Sequence, residues 1–165
     1  MDCLWAPWRM TYINGEPQKG CIFCLRGLEE EDARRQVLLR GRHAFIIMNR
    51  FPYTNGHLMV APYRHSADLD DFSEEEIVEM YRLVALARKV LTEVSRPEGF
   101  NIGLNLGRAA GAGVPDHLHY HVVPRWQGDT NFMPVFADVR VVPQHLEETY
   151  RLLRRAFAPY ADRPL

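Results

Sequence analysis

No stretch of this sequence approaches the roughly 18 consecutive apolar residues of a membrane-spanning helix, which excludes a helical membrane protein. Cysteine is scarce, three in 165 residues, so a disulfide framework does not hold the fold together. Neither sign of charge prevails: 20 Lys and Arg against 21 Asp and Glu leave a formal charge of −1. Without a net positive field the chain is not built for long nucleic acid, and an anionic substrate has to be held by a local group of donors. The opening Met1-Asp2-Cys3-Leu4 to Arg9 carries no apolar signal core, so a soluble, cytoplasmic protein is expected. Internal repeats, low-complexity tracts and long linkers are absent as well. One domain spanning 1–165 is expected, large enough to bury about two-thirds of its unfolded surface.

What is present divides into short apolar runs and two helical stretches. Val37–Arg40 and Ala44–Asn49 read as a hairpin around Gly41-Arg42, and His57–Ala61 as a strand that Pro62 ends. The acidic run Glu29–Asp32 is most simply a solvated face. Ser73-Glu74-Glu75-Glu76 is a capping box, and Ile77, Tyr81, Val84, Arg88, Leu91 and Val94 recur at near-helical spacing until Pro97 stops the helix. Phe100–Leu106 alternates as a strand, Val139–Val142 suggests another, and Gln144–Phe157 has the pattern of a closing helix. Short connections imply a mostly antiparallel sheet of about five strands with two main helices, an α+β fold.

The densest chemistry lies in Asp116–Arg125, where His117, His119 and His121 alternate with Leu118, Tyr120 and Val122. Read as a β-strand, the segment sets three imidazoles on one face at intervals of roughly 6.5 to 7 Å. A single such histidine would most often just face water; three in register point to catalysis or metal binding. Ahead of them, Gly107–Gly113 is a loop of small side chains, among them Gly111 and Gly113, whose backbone N–H groups can approach a phosphate. It is not a P-loop, since no Gly-Lys-Ser/Thr follows.

Cys21 and Cys24 form a Cys-x-x-Cys, but Gly15–Gly20 before it and Leu25-Arg26-Gly27 after it are not the strand and helix of a thioredoxin-like redox motif. The context suits a zinc knuckle, which supplies half of a four-ligand site.

His117-Leu118-His119-Tyr120-His121-Val122-Val123 resembles the signature of the histidine triad (HIT) family, His-φ-His-φ-His-φ-φ with φ apolar. The likeness extends through Leu4–Met10, Asn49, Gly56–Val60, Gly103–Gly107 and Pro124-Arg125-Trp126, and the Arg125–Phe132 stretch is most similar to bacterial members related to diadenosine tetraphosphate phosphorylases. The resemblance implies a single HIT domain, with an amino-terminal zinc-knuckle segment at about 1–28 and a core at about 36–157. It implies a nucleotidyl transferase or hydrolase acting on the α-phosphate of dinucleoside polyphosphates, and a homodimer. The alternatives are a hydrolase of nucleoside phosphoramidates or adenylates, and a nucleotide-binding regulatory protein whose turnover is incidental.

Carried over by position, His119 would be the nucleophile that forms a nucleotidyl-histidine, and His121 would assist at phosphate or the leaving group. Asn49 would meet the ribose, His57 would lie near the nucleoside pocket, and Asn105 near phosphate. Trp126 would stack on a base or pack against a second subunit, with Arg108 and Arg125 as candidate positive charges. Cys21, Cys24, His65 and His117 would hold one structural zinc. A catalytic zinc on the histidine row, with an open position, is the rival metal arrangement. The family usually carries Gln, Ser or Thr late in the small-residue loop, where this sequence has Ala112-Gly113-Val114.

Overall fold

The computed structural model describes residues 20–129 and 144–161. The Leu4–Met10 block, the strand expected at Val139–Val142 and the Asn131-Phe132 end of the last motif lie outside those residues. Five strands, β1 (Val37–Arg40), β2 (Ala44–Met48), β3 (Leu58–Pro62), β4 (Gly99–Leu104) and β5 (Tyr120–Arg125), form one sheet in the order β1-β2-β3-β5-β4. Every adjacent pair is antiparallel. Because β3 and β4 both run against β5, they are parallel to each other, and the chain between them must travel back the length of the sheet. Helix α2 (Glu74–Ser95) makes that return; the short α1 (Asp32–Arg35) and α3 (Leu146–Phe157) are the other α-helices among the described residues. The α+β class, the five-stranded antiparallel sheet and the two main helices agree with the sequence expectation.

Strands β2 and β3 are buried on both faces, which is why they read as unbroken apolar runs. Ala44, Ile46, Met48, Leu58 and Val60 face α2 and α3 in the larger core. Their neighbours Phe45, Ile47, Met59 and Ala61 face the other way, onto Phe23 and Leu25 of the cysteine segment. The second face is therefore closed by the knuckle.

Two expectations need correction. In α2 the residues against the sheet are Met80, Leu83, Val84, Ala87, Val90 and Leu91; Ile77 and Tyr81 are 46% and 71% exposed. Both series have helical spacing, and the position of the sheet selects between them. The histidine segment is also not one strand: β5 begins at Tyr120, so only His121 lies in the ladder, and His117 and His119 precede it. There Leu118 N–H donates to the Ser66 carbonyl at 2.7 Å instead of to a neighbouring strand. In the acidic run, Asp32 takes the Arg40 guanidinium at 2.7 Å, so that residue is a structural tie.

Candidate active site and metal cluster

His121 pairs with Met59 across β3 and β5, which places it on the knuckle side of the sheet. His57, just before β3, reaches the same side and is 1% exposed. A sequence of hydrogen bonds then assigns the tautomers. The Tyr53 backbone N–H donates to His57 Nδ1 at 3.1 Å, and the Asn49 side-chain amide lies 3.3 Å from the same nitrogen. His57 Nδ1 is thus an acceptor and its proton is on Nε2, 2.9 Å from His121 Nδ1. His121 accepts there, so its own proton is on Nε2, a buried atom without a hydrogen-bond partner among the described residues. A buried donor left unpaired is costly, and the cost is relieved when an acceptor arrives. Burial, reinforced by His119, lowers the His121 pKa to about 4, which keeps the ring neutral.

His119 is 5% exposed and its Nδ1–H donates to the His117 carbonyl at 2.8 Å, leaving the lone pair on Nε2. Burial pushes its pKa down as well. Its ring meets that of His121 edge-on, with centroids 4.9 Å apart. The arrangement pairs an imidazole lone pair with an imidazole N–H donor.

His117 turns to a different cluster. Its Nε2–H donates to the Pro62 carbonyl at 2.9 Å, so Nδ1 is a bare lone pair, 3.2 Å from His65 Nδ1 and 3.4 Å from Cys21 Sγ. Cys24 Sγ is 3.4 Å from His65 Nδ1, and all four donor atoms lie within 4.8 Å of one another. A tetrahedron with metal–nitrogen bonds of about 2.1 Å and metal–sulfur bonds of about 2.3 Å has edges of roughly 3.4–3.8 Å. The donor set and its spacing fit such an ion. Burial holds the His117 pKa down, and burial with the neighbouring Cys21 raises that of the Cys24 thiol; a cation among them favours neutral imidazole and thiolate.

The remaining expected residues are distributed unevenly. Asn49 also caps a turn, accepting from the Phe51 N–H at 2.9 Å, and His57 is the partner of His121. Asn105 is half-buried, and its amide nitrogen would lie 3.9 Å from a Cβ built at Gly111, whose φ of +86° suits glycine. Gly113 is exposed, with open space beside it. Trp126 follows the far end of β5, about 16 Å from His121 along an extended strand, and its N–H donates to Asp129. Arg125 is engaged by Asp129 and Asn101, and Arg108 is exposed. Sequence reasoning missed Phe23, packed on two histidines, and Tyr53, whose ring lies 4.6 Å from His57 and 5.8 Å from His121. An apolar pair inside the Cys-x-x-Cys, Ile22 and Phe23, was the only signal for the first, and nothing marked the second.

Residues 30–128, more than half of the chain, match the HIT domain family. The chain belongs to the HIT domain family. Among HIT relatives it is 40% identical over 163 residues to the AP-4-A phosphorylase of Mycobacterium tuberculosis, a match covering 94% of this chain and 84% of that protein. A zinc-bound histidine triad family protein from Mycobacterium smegmatis superimposes with a TM-score of 0.66 at 32% identity, covering 86% of this chain and 95% of the other. The diadenosine triphosphate hydrolase of Plasmodium falciparum shares the HIT fold, at a TM-score of 0.62 and 21% identity over 76% of this chain and 78% of that one. No helix among the described residues is long and apolar enough to cross a membrane.

Proposed function

We propose that this HIT protein is a nucleotidyl transferase or hydrolase that attacks the α-phosphate of a dinucleoside polyphosphate with His119. The observation that carries the reading is the Nδ1–H bond from His119 to the His117 carbonyl, which leaves Nε2 as the nucleophile, next to the N–H of His121, which has no partner among the described residues. The lone pair of His119 Nε2 forms a bond to phosphorus as the bond to the leaving phosphate oxygen breaks. His121 Nε2–H hydrogen-bonds an oxygen at phosphorus, where charge develops. Phosphate or water then attacks the nucleotidyl-His119, and the Nε2–phosphorus bond breaks to release the nucleotide. The similarity to an AP-4-A phosphorylase supports diadenosine tetraphosphate as the substrate to test first.

The reading extends to one structural zinc held by Cys21, Cys24, His65 and His117, supported by the donor geometry and by the zinc-bound relative. The ion would tie the knuckle to the loop after β3 and to the histidine segment, with no open position for chemistry. A homodimer belongs to the same reading, and the edge strand β4, with Ile102 exposed, is the surface that supports it.

Incubation with diadenosine tetraphosphate and phosphate, followed by chromatography, decides between outcomes. ADP with ATP means phosphorolysis, and AMP with ATP means asymmetric hydrolysis. Absence of turnover with tight nucleotide binding would favour a binding protein, and cleavage of phosphoramidates or adenylates alone would move the substrate class. His119→Asn is expected to lower turnover by roughly 10³-fold or more while nucleotide affinity stays within a few-fold; undiminished turnover excludes the nucleophile.

A further inference from the structure

Phe23 stands between the two cysteines, yet it is among the most deeply buried side chains, 1% exposed. Its ring meets the His119 ring at 4.7 Å between centroids, inclined by 32°, and the His117 ring at 5.3 Å. The turn that carries it is held locally. The Phe23 N–H donates to Cys21 Sγ at 3.4 Å, the Cys24 N–H donates to the Cys21 carbonyl at 3.2 Å, and Arg40 donates to the Leu25 carbonyl at 3.0 Å.

Among the described residues the His119 ring makes one hydrogen bond, from Nδ1, and a single bond of that kind leaves the ring free to tilt about it. A flip about χ2 exchanges Nδ1 with a carbon and takes the Nε2 lone pair out of line. His121 bounds the ring edge-on, and Phe23 bounds it at a shallow inclination. Because interiors are close-packed, a flat ring in contact with the imidazole resists that motion.

We infer that Phe23 is a positioning residue for the nucleophile: the Cys21–Cys24 turn inserts it against His119 and so keeps that ring on the His117 carbonyl. The inference rests on the reading of His119 as the nucleophile and of the four-residue cluster as a zinc site. It assigns the knuckle a second task, since Phe23, carried between its two cysteines, touches the reacting imidazole's ring.

The test compares wild type with Phe23→Leu, which keeps apolar bulk without a flat ring, and Phe23→Ala. Three quantities are measured on the purified full chain: zinc content, kcat and KM with diadenosine tetraphosphate, and the His119 tautomer from imidazole ¹⁵N shifts at a pH where the ring is neutral. Expected are unchanged zinc content, a KM within about threefold, a kcat lower by roughly tenfold or more, and a mixture of tautomers in place of one. Phe23→Leu with wild-type kcat and a single tautomer overturns the inference. So does a variant that loses zinc and turns over no more slowly than metal-free wild type, since Phe23 is then only a strut of the knuckle. Should wild type fail to cleave dinucleotides, the proposed function falls, and the tautomer comparison still decides the role of Phe23.

Discussion

His57 connects the backbone to the histidine pair of the candidate site. Its Nδ1 takes the Tyr53 N–H, and its Nε2–H fixes which nitrogen of His121 is the donor. Replacing it by Gln, whose amide reaches toward His121 but offers no acceptor at the Nδ1 position for the Tyr53 N–H, loosens that assignment; kcat is expected to fall roughly tenfold or more with KM little changed, and steady-state kinetics check it. His121 also makes stability depend on pH. Its folded pKa, about 4, lies below the ordinary value of 6.5, so between those limits the folded protein binds fewer protons than the unfolded chain. Stability is full above pH 6.5, falls as pH drops through that window and levels off below it. Urea midpoints measured from pH 7 to 4 are expected to decline, and less steeply in His121→Asn. The histidines were legible as a group from their spacing; which nitrogen carries each proton was not, since carbonyls of His117 and Pro62 and an amide of Tyr53 decide it.

Among the elements, the β1–β2 turn shows how a helix side chain enters a hairpin. Glu79 of α2 is buried, and its carboxylate accepts from the His43 and Ala44 N–H groups at 3.0 and 3.3 Å. A Cβ at Gly41 would lie 2.1 Å from the same oxygen. Gly41→Ala must therefore displace a carboxylate held by two bonds, and a loss of about 1–3 kcal/mol in urea unfolding is expected. Combining it with Glu79→Ala should give less than the sum of the single losses. The hairpin and the capping box of α2 were readable locally, because Ser73 and Glu76 satisfy each other's backbone groups within one turn. The buried face of α2 was not readable, because its solvent side is also partly apolar, as Ile77, Val78 and Tyr81 show.

For the molecule as a whole, the cluster of Cys21, Cys24, His65 and His117 joins three segments distant in sequence: the knuckle, the loop after β3 and the approach to β5. The Arg64–Glu76 ion pair at 3.0 Å ties that loop to the start of α2 as well. Removing zinc with a chelator is expected to lower the thermal midpoint of unfolding, since binding to the folded state alone adds to stability. An unchanged midpoint, or purified protein without about one zinc per chain, refutes the four-ligand assignment.

From residue order alone came the α+β class, the antiparallel sheet, the family likeness and the Cys-x-x-Cys half of the metal cluster, because periodicity, caps and short motifs are local patterns; His65 and His117 were joined to it only through the family resemblance. Tertiary packing alone decided that His117 leaves the ladder for the cysteines, that His57 orients His121, and that Phe23 lies against His119. Each of those contacts joins residues that sequence spacing does not relate, and only close packing of the knuckle and of β3 against the residues around β5 brings them within hydrogen-bonding or van der Waals range.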